Sequence, residues 1–193
     1  MKTAFLRSAA LALAAVLAAC TTGGGGGATV RAGGVEVGRF HLGEPIAHAQ
    51  IAIEPFDRAD AARPDFAAAA AAVGRQLQRL GWTVVTTAGG QSEQIALVAL
   101  QSGSREAIAA RSAARVGRGF ASGPASTAPG GNATLLEVAI RRRSDGTVFW
   151  EGRALSDARP GSAEPVGAAA AERLATALFR DFPGESGRII RVR

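Results

Sequence analysis

The chain has 193 residues, 47% of them apolar and 20% charged, with a formal net charge of +6. The apolar share excludes disorder throughout, and the length suits one domain with a light, alanine-rich core. A single cysteine, Cys20, excludes an internal disulfide framework, and with only two histidines it leaves little for a zinc site.

Lys2 and Arg7 form a charged head, and Ala9 to Ala19 follow as eleven uncharged, mostly apolar residues. A bilayer span takes about 20 residues, so this run suits the hydrophobic region of a signal peptide instead. It ends Leu17-Ala18-Ala19-Cys20, which resembles the bacterial lipoprotein signal. That resemblance implies a cleaved segment 1–19 and acylation of Cys20, palmitate included. A plain secretory peptide with an incidental cysteine is the alternative. One acyl chain holds a protein marginally, whereas several hold it stably. Thr21 rather than Asp follows Cys20, which the resemblance translates into the outer membrane, facing the periplasm. Cleavage removes Lys2 and Arg7, lowers the net charge from +6 to +4 and leaves no lysine. Residues 20–44 are expected to be a flexible tether, because five consecutive glycines (23–27) behave as coil. No strand precedes those glycines and no Lys-Ser/Thr pair follows, so they do not form a phosphate loop.

The domain is expected over 45–193. Ile51 and Ile53 alternate with Ala52 and Glu54 and predict a first strand over 50–56, ended at Pro55. Pro64 and Asp65 suit a helix start. Phe66, Ala70, Val73, Leu77 and Leu80 form one apolar stripe, so a helix is predicted over about 64–80, with Gly81 after it. Residues 82–87 form a β-branched second strand, and 95–100 a third, apolar on both faces and therefore central. Residues 102–132 are a mobile excursion rich in Gly, Ala, Ser and Pro, with room for a short helix over 104–115.

The segment 135–155 is a hairpin. A two-residue Asp-Gly loop would mix its faces. A three-residue loop with Gly146 left-handed pairs Ile140 with Trp150, Val138 with Gly152, Leu136 with Ala154 and Glu137 with Arg153. This second register keeps one face apolar and is the one predicted. A second helix follows over about 164–181, opened by Pro165 and stopped by Pro183-Gly184, and a terminal strand over 188–192. The fold class expected is α+β: a largely antiparallel sheet of about five to six strands with two helices packed on one face.

Val148-Phe149-Trp150-Glu151-Gly152-Arg153-Ala154 resembles the "W-x-G-x-A" strand of a bacterial lipoprotein family, domain of unknown function 4136. Leu178-Phe179-Arg180-Asp181-Phe182-Pro183 resembles the family's last helix, and Leu80-Gly81-Trp82 its glycine–aromatic step. The likeness spans roughly 45–193. One departure is Ile95-Ala96-Leu97, apolar where members often carry an Asp. The resemblance carries no catalytic set.

Candidate chemistry is sparse. His41 and His48 lack the further ligands a metal needs. Glu54, Asp57, Asp60 and Asp65 form an acidic run, but Arg58 and Arg63 interrupt it and no calcium-loop spacing is present. Ser122, Ser126 and Thr127 sit outside any nucleophile elbow. No catalytic residue, metal or cofactor is therefore assigned. Arg141, Arg142 and Arg143 at the hairpin tip are the candidates for contact with an anionic lipid headgroup. In the periplasm there is no nucleic acid for them to meet. The expectation is a non-enzymatic, outer-membrane-anchored periplasmic module that binds another envelope protein or anionic lipid. The alternatives are an auxiliary lipoprotein of an envelope lipid transporter, with lipid between helix and sheet, and an envelope hydrolase.

Overall fold

A computed structural model describes residues 34–85, 92–116, 131–157 and 167–193. In chain order these form β1 (Val35–His41), β2 (Gln50–Pro55), α1 (Pro64–Arg79), β3 (Thr83–Val85), β4 (Gln94–Ser104), α2 (Arg105–Val116), β5 (Asn132–Arg142), β6 (Val148–Asp157), α3 (Ala168–Phe179) and β7 (Ile189–Val192), with a 3-10 turn at Arg58–Asp60. The strands make one sheet ordered β3-β2-β4-β5-β6-β1-β7.

This corrects the expected fold class. The class is α+β, but the sheet has seven strands, is mixed, and carries three helices among the described residues. β2 runs parallel to both β3 and β4, and the other neighbours are antiparallel. The parallel pairing follows from α1, which returns the chain to the start of the sheet before β3, as a crossover must. The extra strand is β1. It lies within the stretch expected as tether, and it enters the sheet between β6 and β7. The extra helix is α2, which starts where β4 ends; the Ser104 hydroxyl accepts from the Ala107 N–H at 3.2 Å. Of the expected excursion, residues 117–130 lie outside the described residues.

α1 fully buries Val73 and Leu77 of the stripe read from its spacing and half-buries Phe66, Ala70 and Leu80, while Ala69 and Ala72, outside that stripe, complete the fully buried face. α3 packs beside it on the same face. Arg75 donates to Glu172 at 2.5 Å, and Gln76 donates to Thr176 at 3.2 Å. Ala171, Leu174, Ala175 and Leu178 close the layer beneath and have no exposed surface. Each large apolar side chain buried this way contributes roughly 1.5–3 kcal/mol.

The hairpin adopts the predicted register: Ile140 with Trp150, Val138 with Gly152, Leu136 with Ala154 and Glu137 with Arg153. Gly146 has φ +73°. The tip differs from expectation, because a bulge shifts Arg141 onto Val148.

The registers define rows on the face turned away from α1 and α3. One row is Ala99–Glu137–Arg153–Gly38–Ile189, and the next is Leu97–Ala139–Glu151–Phe40. α2 lies on this second face, where its Ile108 packs on Ala133, Leu135 and Leu155.

Candidate functional site

Among the described residues most large apolar side chains are buried or half-buried, and three are exposed: Phe40 (46% exposed), Leu42 (61%) and Ile189 (46%). They converge on one corner of the sheet. Ile189 lies opposite Gly38, and Phe40 follows two residues further along the same face of β1. The Ile189 Cγ1 sits 3.7 Å from where a Cβ on Gly38 would be, so Ile189 lies over β1 at ordinary contact distance. Leu42, just past β1, lines a surface cavity of about 250 Å³. Pro45, Ile46 and Phe149 share its apolar wall, and Glu93, Gln94 and Arg142 stand among its polar groups.

The connection after β1 is fixed at both ends. The His41 ring accepts from the Gly43 N–H at 3.1 Å through Nδ1, which leaves Nε2 to donate to the Gly184 carbonyl at 3.0 Å. Gln94 accepts from Trp82 Nε1 and donates to the Ala47 carbonyl, both at 2.8 Å. His48 packs against Trp82 with ring centroids 4.0 Å apart and the planes tilted by 37°. Each histidine thus holds the loop in place. Among the described residues no group of three or more His, Cys, Asp or Glu side chains is placed to hold a metal.

The three tip arginines are drawn apart. Arg142 bonds Asp145 at 2.7 Å and lies 5.0 Å over the Phe149 ring. Arg143 donates to the Ser92 carbonyl at 2.8 Å and to Glu54 at 2.6 Å. Arg141 stands on the other face, opposite Ile95, and its buried Nε has no hydrogen-bond partner. Asp145 is pulled down to about 2, first by the Thr147 N–H it accepts and then by Arg142. The acidic run is also engaged: Asp57 caps the 3-10 turn, while Asp60 and Asp65 flank Arg63. Cys20, Ser122, Ser126 and Thr127 lie outside the described residues.

Phe40 and Leu42 are masked in the sequence, because the glycines of 20–44 read as a flexible tether. The signal that reveals them is the alternation of Val35 and Val37 with Glu36, which is a strand pattern running into them.

No family model matches the chain. A stretch of 60 residues is 43% identical to an uncharacterised protein of Zymomonas mobilis, covering 31% of this chain and 23% of that protein. The chain therefore spans less than a quarter of the length of the curated relative it matches. Among solved structures, the fold is similar to that of a PDZ domain protein from Parabacteroides distasonis, with a TM-score of 0.53 at 12% identity over 83% of this chain and 39% of that one. That likeness concerns the fold alone. A PelC dodecamer from Paraburkholderia phytofirmans gives a TM-score of 0.43 at 12% identity over 75% of this chain and 94% of that one.

Proposed function

We propose that the chain is a lipid-anchored periplasmic module of the bacterial outer membrane, acylated at Cys20, which binds another envelope protein and performs no chemistry of its own. The observation that carries the binding role is the gathering of Phe40, Leu42 and Ile189 at one corner beside a cavity. Exposed apolar groups gathered in this way mark interaction sites. The anchor rests on Leu17-Ala18-Ala19-Cys20.

Membership of the domain of unknown function 4136 family is part of the same proposal, supported by its motif residues. Trp150 is fully buried, and its Nε1 donates to the Pro183 carbonyl at 2.9 Å. Gly152 lies under the Trp150 ring, and Gly81 has φ +99°. These are structural positions, which suits a family defined by fold rather than catalysis. Carriage of lipid between helix and sheet draws no support from α1 and α3, which pack flat with Leu77 and Leu174 fully buried. For anionic headgroups the tip offers Arg141, since Arg142 and Arg143 face Asp145 and Glu54.

The test is site-specific photo-cross-linking in intact envelopes from positions 42 and 40, with the exposed helix position 78 as control. One protein captured from 42 and 40 but not from 78, and re-forming the complex when purified, is the expected result. Indiscriminate adducts, or none, overturn the binding role. Cys20→Ala is expected to release the protein from the membrane fraction, and retention there overturns the anchor.

A further inference from the structure

We infer that the cavity at Leu42 seats one large apolar side chain of a partner protein, leucine or phenylalanine in size, with a lysine or arginine next to it in the partner's chain. The inference rests on the binding role proposed for this corner and names the chemistry of what binds there.

The β1–β2 connection crosses the end of the sheet, from the start of β6 to the start of β4, and the cavity lies beneath it. Leu42, Pro45 and Ile46 of the connection form one wall, and Phe149 and Arg142 of the hairpin form another. Volume decides the kind of occupant. Pockets for drug-sized molecules run to about 300–1,000 Å³, so about 250 Å³ suits an anchoring side chain rather than a whole cofactor. The cavity is also formed in advance. His41 holds the connection at one end through Gly43 and Gly184, and Gln94 holds it at the other through Ala47. Little ordering therefore opposes entry of a side chain, and an apolar anchor in a preformed pocket is the usual centre of a protein interface.

The polar rim selects the neighbour. The exposed Glu44 carboxylate has no hydrogen-bond or ion-pair partner among the described residues. That of Glu93 accepts only from the N–H and hydroxyl of Ser144, both through Oε1. Arg142 is the one cation lining the cavity, and it is already committed to Asp145 and to the Phe149 ring. Arg143, next along the chain, is turned to Glu54. Glu44, Glu93 and Asp145 thus outweigh Arg142 and leave the mouth net negative, on a chain whose formal charge is +6. A negative mouth over an apolar cavity attracts a cation carried beside an apolar group. It repels an anionic lipid headgroup, which makes the occupant a protein segment.

The test is nitrogen-15 NMR titration of the chain bearing Cys20→Ala with three capped dipeptides: phenylalanyl-lysine, phenylalanyl-glutamate and alanyl-lysine. Phenylalanyl-lysine is expected to shift the amides of 42–47, 93, 94, 142 and 149. It is expected to bind roughly tenfold more tightly than phenylalanyl-glutamate, because one exposed ion pair is worth up to about a fivefold change and the swap turns attraction into repulsion. Alanyl-lysine is expected to bind at least about tenfold more weakly for want of the apolar anchor. Glu44→Arg is expected to abolish the preference for lysine over glutamate while the unfolding midpoint stays in place, since that carboxylate bonds nothing in the fold. Equal binding of the lysine and glutamate dipeptides, shifts that fall outside the cavity, or no binding at all overturns the inference. If position 42 captures an envelope protein while the dipeptides are not told apart, the binding role stands and this inference fails. If the dipeptides are told apart but no envelope protein is captured, the selectivity of the cavity stands and the binding role fails.

Discussion

The W-x-G-x-A strand acquires a physical reason at residue scale. A Cβ on Gly152 would lie 2.5 Å from Trp150 Cη2 and 2.8 Å from Leu178 Cδ1, so the glycine lets the indole fold back over its own strand beneath α3. Trp150 then stacks on Phe179 with centroids 5.3 Å apart. Gly152→Ala is expected to destabilise by about 1–3 kcal/mol through overpacking, read as a lower midpoint in urea unfolding. Arg39, on the same face of β1, is 5% exposed and donates to the carbonyls of Leu178 (2.8 Å), Ala177 (3.1 Å) and Arg180 (2.8 Å), which closes the C-terminus of α3. Burial pushes its pKa down while Asp181 opposes the fall. Nothing in the sequence marks Arg39 as a cap, because its partners lie some 140 residues away. Asp145 offers a titration. Its carboxyl is held at about 2 against an ordinary 3.8. A depressed carboxylate pKa stabilises the folded form above the ordinary value, and the contribution disappears as pH falls through the folded one. A carbon-13 titration is expected to find the Asp145 midpoint near 2, with the hairpin tip loosening between about pH 4 and 2. Arg142→Ala is expected to raise that midpoint only part-way, because the Thr147 N–H is the larger cause.

At element scale, the two helix layers differ in how firmly they are seated. α1 and α3 share an apolar layer with the sheet. α2 rests on Ile108 and two arginines: Arg105 pairs with Asp157, and Arg111 donates to Gln101 at 2.7 Å. Gln101 in turn donates to the fully buried Glu137 at 2.7 Å, and Arg153 Nε stands 3.4 Å from the same carboxylate. Few apolar contacts mean a low cost of local opening. Amides of α2 are expected to exchange with solvent on the order of tenfold faster than those of α1, and Ile108→Ala to widen that gap while the unfolding midpoint of the whole chain moves less. Legibility also varied by element. The hairpin register was readable because alternation forces one choice of faces, and α1 because its stripe is continuous. β1 was not, since glycines at 33, 34, 38 and 43 mask a short alternating pattern. The bulge between Ile140 and Arg141 is a local departure from the ladder, which alternation does not encode.

At the scale of the whole molecule, the sheet order β3-β2-β4-β5-β6-β1-β7 mixes pairs that are consecutive in the chain with three that are not, β2–β4, β6–β1 and β1–β7. β1 joins β6 and β7, the last two strands, and closes that half of the sheet. The candidate corner exists only because of this long-range pairing, so composition and spacing could suggest a binding module without showing where it binds. Removing residues 1–44 is expected to prevent cooperative folding, whereas removing 1–33 is expected to preserve it, as followed by circular dichroism on heating. The first truncation strips β6 of a neighbour along its length and leaves β7 with none.

The position of β1 also determines how the domain bears load. Any pull applied upstream of Gly34 enters the sheet through β1, an inner strand bonded on both flanks from Val35 onward. The hydrogen bonds to β6 and β7 lie across the strand direction, so drag along the strand loads them together in shear instead of opening them one after another. An edge strand such as β7, bonded on one side over four residues, would peel. The chain's leading end thus enters the sheet on the mechanically sturdier inner strand, braced by β7 along its first four residues, and not on the easily opened edge strand itself.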